Sequence, residues 1–231
     1  MMKFKTILPA IAILFSSTNI IAQATGTLTD SRDGRTYKTV VIGTQTWASE
    51  NLNAITFNNG DTIPEAKTEE DWKKAGIEGT PAWCYYDNDH SNGSSFGKLY
   101  NWYAVKDPRG IVPKGWHVPS DSEWTIFTNY LTGSSSVKKK KAQKTAVNEK
   151  TDDGIKKSGF LGLPGGYRDE EGLFHDYGYD GGWWSSTESD TNDAWGRGLY
   201  YLYGNVFRYD FSAQYCYYSK SNGLSIRFMK D

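Results

Sequence analysis

Hydrophobic positions alternate with polar ones over short stretches of the chain, and only a few segments repeat with a helical period. In the N-terminal part, a β-rich run covers residues 36–42 and ends at Gly43, and Thr46 and Trp47 follow it. Strand-forming runs that are separated by a short turn are typical of a β-hairpin. The pattern therefore predicts two N-terminal strands that pair with each other.

Helical signals occur in three places. Thr68 stands before an acidic turn, which predicts a short helix that ends at Gly76. Residues 98–105 carry apolar side chains at helical spacing and predict a second short helix. Ser120 and Glu123 form a capping box, in which each side chain satisfies a backbone N–H at a helix start, and they predict a third helix. The apolar residues on one face of this third helix are Trp124, Phe127, Tyr130 and Leu131.

The C-terminal third of the chain predicts mostly strands. Gly204 and Asn205 are expected to form a two-residue turn between two of them. Leu224, Ile226 and Phe228 alternate with polar residues, as in a half-buried strand. Runs of strands with few helices indicate an α+β fold of short, mostly antiparallel sheets, about two to three short helices and long loops. The expected C-terminal strands cover residues 183–188, 195–203, 206–211 and 224–229.

The N-terminus resembles an export signal, with two lysines, an apolar core at residues 7–15 and a small-residue cleavage site that ends at Ala24. The apolar core is far shorter than the roughly 20 residues that span a bilayer, so we expect no membrane span. We expect residues 1–24 to be a secretion signal peptide and residues 25–231 to form a single domain. The mature protein is then secreted to the periplasm, the outer cell surface or the extracellular space.

The charge balance excludes one class of partner. The chain has a formal net charge of −1 at pH 7, so nothing in its composition favours nucleic acid. A basic run at residues 138–141 lies within a polar segment at residues 134–158. We expect this segment to be a solvated surface excursion, with an anionic docking patch as the alternative.

The chain has only two cysteines, Cys84 and Cys216. In an oxidising compartment a disulfide between them can persist. Two free thiols are the other outcome, and the sequence alone leaves both open.

Candidate chemistry is sparse. The three histidines lie in different segments, and no nucleophile elbow, zinc-protease motif, Walker loop or dinucleotide fingerprint occurs. His117 and Glu123 are a titratable pair close in sequence, but Glu123 is better explained as a helix cap. The Asp-rich run at residues 87–93 misplaces its glycine for a calcium loop, and the adjacent carboxylates at residues 169–171 cannot flank one glycosidic bond. We therefore predict no enzymatic activity, no cofactor and no metal site.

Aromatic residues make up 15% of the chain, with 16 tyrosines, and they concentrate near the C-terminus. Their number there exceeds what one face of two strands can bury, so several must face solvent. Exposed tyrosines interleaved with polar side chains are typical of protein-binding surfaces, and aromatic rings also stack on sugars. An ordinary tyrosine-rich sheet is the alternative. The predicted ligand-contact residues are Trp195, Arg197, Tyr200, Tyr201, Tyr203, Asn205, Phe207, Arg208, Tyr209, Asp210, Gln214 and Tyr215.

Five groups of motifs follow one another along the chain. They are Asp33-Gly34 with residues 36–40, Gln45-Thr46-Trp47 with Glu50-Asn51-Leu52, Gly115-Trp116-His117-Val118-Pro119-Ser120 with Glu123-Trp124, Leu163-Pro164-Gly165-Gly166-Tyr167-Arg168, and Trp184-Ser185-Ser186-Thr187-Glu188. Together they resemble the Fibrobacter succinogenes major paralogous domain family, over about residues 29–231. The resemblance implies the C-type lectin-like fold, in the branch that includes formylglycine-generating enzymes.

The resemblance carries some properties and not others. The enzyme's close pair of reactive cysteines and the lectins' calcium-dependent sugar motifs have no counterpart here, so neither activity is implied. Many family members carry cysteines where this chain has residues 111–112 and 226–228, so the usual disulfide is not implied either.

Many relatives are rich in Asn in the segment that matches residues 205–222, where this chain holds Tyr, Phe, Asp, Ser and Cys. Asn codons reach these residues by changes at adenine. This pattern is similar to the variable regions of proteins that retroelements diversify.

The function that the sequence favours is a secreted or cell-surface, non-catalytic module that binds a protein or glycan through its aromatic C-terminal surface. A structural or adhesive component of the cell envelope is the alternative. An enzyme of the formylglycine-generating type or a glycan hydrolase is a weaker one. The ligand's identity and the oligomeric state are left open.

Overall fold

Irregularly ordered strands and helices form the protein, so the predicted α+β class is confirmed. Four α-helices occur in the described part of the chain, where about two to three were expected. No helix there is long and apolar enough to cross a bilayer. Most of the predicted signal peptide and of the polar segment at residues 134–158 lies outside the described residues. The computed structural model describes residues 23–132, 158–201, 209–210 and 216–231.

The elements alternate along the chain in the following order. They are β1 (Gln23–Thr29), β2 (Thr36–Ile42), β3 (Gln45–Ala48), α1 (Glu69–Glu78), β4 (Trp83–Cys84), α2 (Gly93–Phe96), β5 (Leu99–Tyr100), α3 (Trp102–Lys106), β6 (Trp116–His117), α4 (Asp121–Thr132), β7 (Gly165–Arg168), β8 (Phe174–Tyr177), β9 (Asp180–Glu188), β10 (Asp193–Tyr201), β11 (Tyr209–Asp210), β12 (Cys216–Ser219), β13 (Leu224–Ser225) and β14 (Met229–Lys230). Two single 3₁₀ turns, Tyr86–Asn88 and His90–Asn92, lie between β4 and α2.

One sheet contains five strands in the order β1-β2-β3-β14-β6, and all its pairs are antiparallel. The predicted hairpin is confirmed as β2 and β3, with Val40 opposite Trp47. Gly43 begins its turn with a φ of 63°, a left-handed conformation that glycine adopts without strain. Tyr37, Val40 and Ile42 are buried and hold the hairpin to the core.

A second sheet contains nine strands and has a main path of β11-β10-β9-β13-β5-β4. Strand β12 also pairs with β10, and β7 and β8 join the sheet at β9. Most pairs are antiparallel, but β7 and β13 run parallel to β9. Mostly antiparallel sheets were predicted, and among the described strands these two parallel pairs are the exceptions.

The C-terminal segment departs from the predicted half-buried strand at residues 224–229. It splits into β13 in the larger sheet and β14 in the smaller one. Leu224, Ile226 and Phe228 are buried as the alternation requires, but Ser225 and Arg227 between them are buried as well. The prediction of one half-buried strand was wrong because the segment passes from one sheet to the other and is covered on both sides.

Helix α1 begins where the sequence predicted. The Thr68 hydroxyl accepts a hydrogen bond from Asp71 N at 3.0 Å, and the Asp71 carboxylate accepts one from Thr68 N at 3.3 Å. The helix continues past Gly76 to a left-handed Gly79, with a φ of 63°, whose backbone N–H bonds to the last turn. The predicted start was right, but the glycine that ends the helix is Gly79, three residues after the predicted Gly76.

The predicted helix at residues 98–105 is shorter than expected. Leu99 belongs to strand β5, and the Asn101 side chain caps α3 by accepting a hydrogen bond from Ala104 N at 3.2 Å. The spacing of Leu99 and Trp102 fits a helix, but the Asn101 cap starts the helix between them.

Helix α4 begins at the predicted capping box. Trp124, Phe127 and Leu131 are buried, whereas Tyr130 is 42% exposed and does not belong to the buried face. The Trp124 ring lies 4.8 Å from the ring of Trp47 in β3, measured between centroids. These contacts pack α4 onto the smaller sheet.

Candidate functional site

Strand β10 carries the first of the predicted contact residues and has partners on both sides. Its N-terminal half pairs with β12, its C-terminal end pairs with β11, and β9 runs along its other edge. Tyr200 lies opposite both Asp180 of β9 and Asp210 of β11. Tyr201 lies opposite Tyr209. Because β11 ends the main path of its sheet, these residues occupy one pairing region at the sheet edge.

The N-terminal half of β10 is held by close packing. A Cβ atom at Gly196 would lie 2.8 Å from Cδ2 of Tyr218, whereas one at Gly198 would lie 3.5 Å from the Tyr218 hydroxyl. The Tyr218 ring also contacts the buried ring of Trp184, with centroids 5.9 Å apart. Glycine at position 196 therefore lets a tyrosine ring lie against the strand.

Arg197 is fixed on the side of β10 that faces α4. The residue is only 4% exposed, and its guanidinium pairs with the Asp121 carboxylate at 2.6 Å. It also donates a hydrogen bond to the Asp121 carbonyl at 3.0 Å. Arg197 was predicted as a ligand contact, and the structure places it between β10 and the first turn of α4.

The other predicted contact residues divide into two groups. Trp195 is partly buried and lies opposite Tyr217 of β12, and Tyr200, Tyr201, Tyr209 and Asp210 occupy the strand positions given above. Ligand contact by all twelve residues stays a prediction. Those that lie outside the described residues are Tyr203, Asn205, Phe207, Arg208, Gln214 and Tyr215.

The turn between β8 and β9 adds exposed aromatic residues that the sequence analysis did not single out. Tyr177 is 44% exposed and Tyr179 is 64% exposed. Tyr179 immediately precedes Asp180, which pairs with Tyr200. The two tyrosines flank Gly178, and aromatic residues around a turn glycine are the signal that could have identified them.

Asp180 itself has an unusual environment. Burial, with a smaller contribution from the charge of Asp176, raises the pKa of Asp180 to about 7. Its Oδ1 atom is buried and makes no hydrogen bond in the described part of the protein. A buried carboxylate without a donor favours its neutral form, so Asp180 changes charge near neutral pH.

His117 and Glu123, which an enzyme would require to converge, do approach each other. His117 Nε2 lies 3.0 Å from Glu123 Oε1, and His117 Nδ1 lies 2.7 Å from Asp231 Oδ1. Glu123 Oε2 accepts hydrogen bonds from Ser120 N and Oγ, both at 2.7 Å. Burial alone would raise the pKa of Glu123, but the bonds from Ser120 and the charge of His117 lower it. The contacts of Glu123 are those of a helix cap.

The Asp-rich run at residues 87–93 forms the two 3₁₀ turns. Asp87 and Asn88 both adopt left-handed conformations, with φ of 53° and 54°. Asp89 Oδ1 accepts a hydrogen bond from Ser91 N at 2.8 Å and thereby caps the second turn. Within the described ranges, no three His, Cys, Asp or Glu side chains lie together as metal ligands.

Cys84 has a free thiol and is fully buried in β4. Burial raises the pKa of Cys84 to about 12, against the lowering effect of Arg168. Of the two alternatives for the cysteines, the structure has Cys84 unbonded, which makes it an inert core thiol.

The described residues define an α+β protein in which an aromatic strand pair ends a sheet whose inner strands are closely packed. The chain belongs to the Fibrobacter succinogenes major domain family, whose family model matches residues 40–230. The family resemblance is confirmed over this range, which begins at the last residue of the first motif. Neither a curated protein nor a solved structure matches the chain significantly. The C-type lectin-like architecture therefore stays a prediction.

Proposed function

We propose that this protein is a non-catalytic binding module, secreted or displayed at the cell surface, that contacts a protein or glycan through the edge strands β10 and β11. The observation that carries the proposal is the row of tyrosines at this edge. Tyr200, Tyr201 and Tyr209 lie on paired strands that end the sheet. Large, rigid side chains of this type bring contact area at a low entropic cost.

The packing of the inner strands supports the proposal. The Arg197 pair with Asp121 and the Tyr218 ring against Gly196 fix β10 before it reaches the edge. A binding surface gains affinity when its scaffold is ordered beforehand, because less conformational entropy is lost on binding. Tyr179, at 64% exposure, adds an exposed aromatic residue directly before Asp180, which pairs with Tyr200.

The segments that connect β10, β11 and β12 contain the remaining predicted contact residues, including Tyr203 and Tyr215. We propose that retroelement-driven variation acts on this stretch, since its Tyr, Phe, Asp, Ser and Cys codons are reached from Asn codons by changes at adenine. A fixed frame with varied edge residues allows new ligands without refolding the core. A survey of this gene in sister strains tests the idea, because substitutions should concentrate within residues 205–222.

A structural or adhesive role in the cell envelope is the second candidate, and it requires no discrete ligand. The predicted export signal suits both roles equally. The two differ in whether single aromatic side chains control an interaction.

A binding screen tests the proposal. The purified protein is probed on a glycan array and on a panel of bacterial surface proteins, beside a variant in which four tyrosines become alanine. The matched control is Tyr130→Ala, which removes a 42% exposed tyrosine from α4. The four substituted tyrosines are Tyr201, Tyr203, Tyr209 and Tyr215.

A ligand that is lost by the fourfold variant and retained by the control supports the proposal. A ligand that all three proteins bind equally contradicts it, because the site then lies elsewhere. If none of the folded proteins binds any glycan or surface protein in the screen, the structural role is favoured. Circular dichroism of each variant establishes that the fold is intact.

A further inference from the structure

A cavity of about 260 Å³ is lined by residues outside β10 and β11, and the binding function proposed above does not use it. Its wall includes Glu50 and Asn51 from one family motif and Leu163 from another. Asn51 is a buried structural residue, since its Oδ1 accepts a hydrogen bond from Trp183 Nε1 at 2.8 Å. The two motifs thus form a pocket as well as a piece of the core.

One cation and one anion, Arg35 and Glu50, line this cavity. The Arg35 guanidinium makes neither a side-chain hydrogen bond nor an ion pair within the described residues, and its Cζ atom lies 5.5 Å from the centroid of the Tyr37 ring. The charge of Glu50 also acts on the fully buried Arg227: burial lowers the pKa of Arg227 to about 9, and Glu50 opposes that effect. Glu50 is thus shared with Arg227, and the Arg35 guanidinium is available to a ligand.

A serine side chain lines the same cavity. Ser49 is only 5% exposed as a residue, and its hydroxyl makes no hydrogen bond within the described part of the chain. The hydroxyl oxygen is not enclosed by protein, so it is accessible to a ligand in the cavity and can donate a hydrogen bond to it. Leu161 and Leu163, which are 52% and 36% exposed, add apolar surface to the cavity, beside the polar Ser94 and Ser95.

We propose that this cavity binds a carboxylate carried on a short aliphatic body. The Arg35 guanidinium pairs with the carboxylate, because charge-assisted bonds from arginine to carboxylates are among the strongest polar contacts. The Ser49 hydroxyl donates a second bond, and Leu161 and Leu163 cover the aliphatic part. The cavity volume of about 260 Å³ is slightly below the common range for small-molecule pockets, so it suits a ligand of a few carbon atoms. Such a group occurs in a small organic acid or at the C-terminus of a peptide that ends in an aliphatic residue.

Titration calorimetry on the full chain tests this inference with three probes. These are 4-methylpentanoate, its neutral amide, and N-acetylglycyl-leucine. The acid and the peptide are expected to bind with millimolar or tighter Kd, and the amide at least about tenfold more weakly because it lacks the charge. A peptide that binds much more tightly than the free acid identifies a peptide C-terminus as the source, and equal binding identifies a small acid.

Variants then locate the site. Arg35→Gln should weaken acid binding at least about tenfold, and the matched control Lys38→Gln, which removes an exposed cation from the same strand region, should leave it unchanged. No binding of either carboxylate at millimolar concentration overturns the inference. Equal binding of acid and amide also overturns it, and this comparison needs no variant to fold. Neither result bears on binding at the aromatic edge.

Discussion

The guanidinium of Arg197 lies 2.6 Å from the carboxylate of Asp121, and this ion pair ties β10 to the first turn of α4. The Arg197 side chain is 5% exposed and that of Asp121 is 24% exposed. The close carboxylate oxygen makes no aligned hydrogen bond, so the contact is chiefly an attraction between charges. Strand β10 thus carries the buried Arg197 and, three residues later, Tyr200, which pairs with β11 at the edge of the sheet.

Replacing Arg197 by methionine should destabilise the protein. The free energy of unfolding should fall by about 2 kcal/mol, less than for a fully buried pair, because Asp121 keeps some contact with water. Urea unfolding followed by circular dichroism measures the loss. Lys74→Ala is the control, since Lys74 and Glu78 are 72% and 51% exposed and their pair is worth less than about 1 kcal/mol. Equal losses in both variants would show that the Arg197 pair is no stronger than a surface contact.

Replacing two glycines of β10 by alanine should change the stability of the protein by different amounts. Gly196→Ala places a methyl group 2.8 Å from Tyr218 and should cost about 1 to 3 kcal/mol of unfolding free energy through overpacking. Gly198→Ala meets Tyr218 at 3.5 Å, an ordinary contact, and should change stability by less than about 1 kcal/mol. Thermal unfolding of the two variants side by side gives the comparison. A larger loss of stability for Gly198→Ala than for Gly196→Ala would contradict the position of the Tyr218 ring against Gly196.

Asp180 should make stability depend on pH between about 4 and 7. Its folded pKa of about 7 lies above the ordinary 3.8, so the folded state favours the protonated form. The stability that Asp180 contributes is therefore fully present below pH 3.8 and is lost as the pH rises through 7. Asp180→Asn should match the wild type near pH 4 and exceed it near pH 8 in urea unfolding. Asp176→Asn removes the nearby charge and should give part of this gain in stability at pH 8. If Asp180→Asn is no more stable than the wild type at pH 8, the account is contradicted.

Lys98 should produce the opposite trend at higher pH. Burial, with repulsion from Arg35, lowers the pKa of Lys98 from 10.5 to about 8, while its ammonium lies 4.7 Å from the Trp83 ring centroid. Between these values the unfolded chain holds a proton that the folded protein has lost, so folding becomes more favourable as the pH rises. The wild type should gain stability relative to Lys98→Met between pH 8 and pH 10.5, as measured by urea unfolding. The exposed-residue variant Lys38→Met should show no such slope relative to the wild type, and a flat Lys98→Met difference would refute the shift.

Local signals in the sequence were sufficient to predict where several helices and strands begin. The start of α4 followed from the capping box of Ser120 and Glu123, and α1 followed from Thr68, because caps depend only on neighbouring residues. The split of residues 224–229 between two sheets could not be predicted, since it depends on strand partners distant in sequence. Leu99 was predicted to be helical from its spacing to Trp102, and its place in β5 depends on pairing with Cys84 and Ser225, which are distant in sequence.

Residues of β10 and β11 were named from the sequence, and their contact with a ligand stays a prediction. The tyrosines of β10 and β11 were identified from composition, because their excess over burial capacity is visible in the sequence. The burial of Arg197 was not, since it depends on how α4 packs against β10. The exposure of Tyr179 and the raised pKa of Asp180 likewise depend on the turn between β8 and β9. Charge partners and exposure arise from packing and are not encoded in local spacing.

The central claim is that edge tyrosines contact a ligand, and the Kd of the ligand captured in the binding screen tests it most directly. Titration calorimetry should compare the wild type with Tyr201→Ala, Tyr209→Ala and the control Tyr130→Ala. We predict that at least one edge substitution weakens binding about 30-fold, equivalent to about 2 kcal/mol, while the control changes it less than about twofold. Both edge variants binding as tightly as the wild type, with their folds intact, would contradict the account.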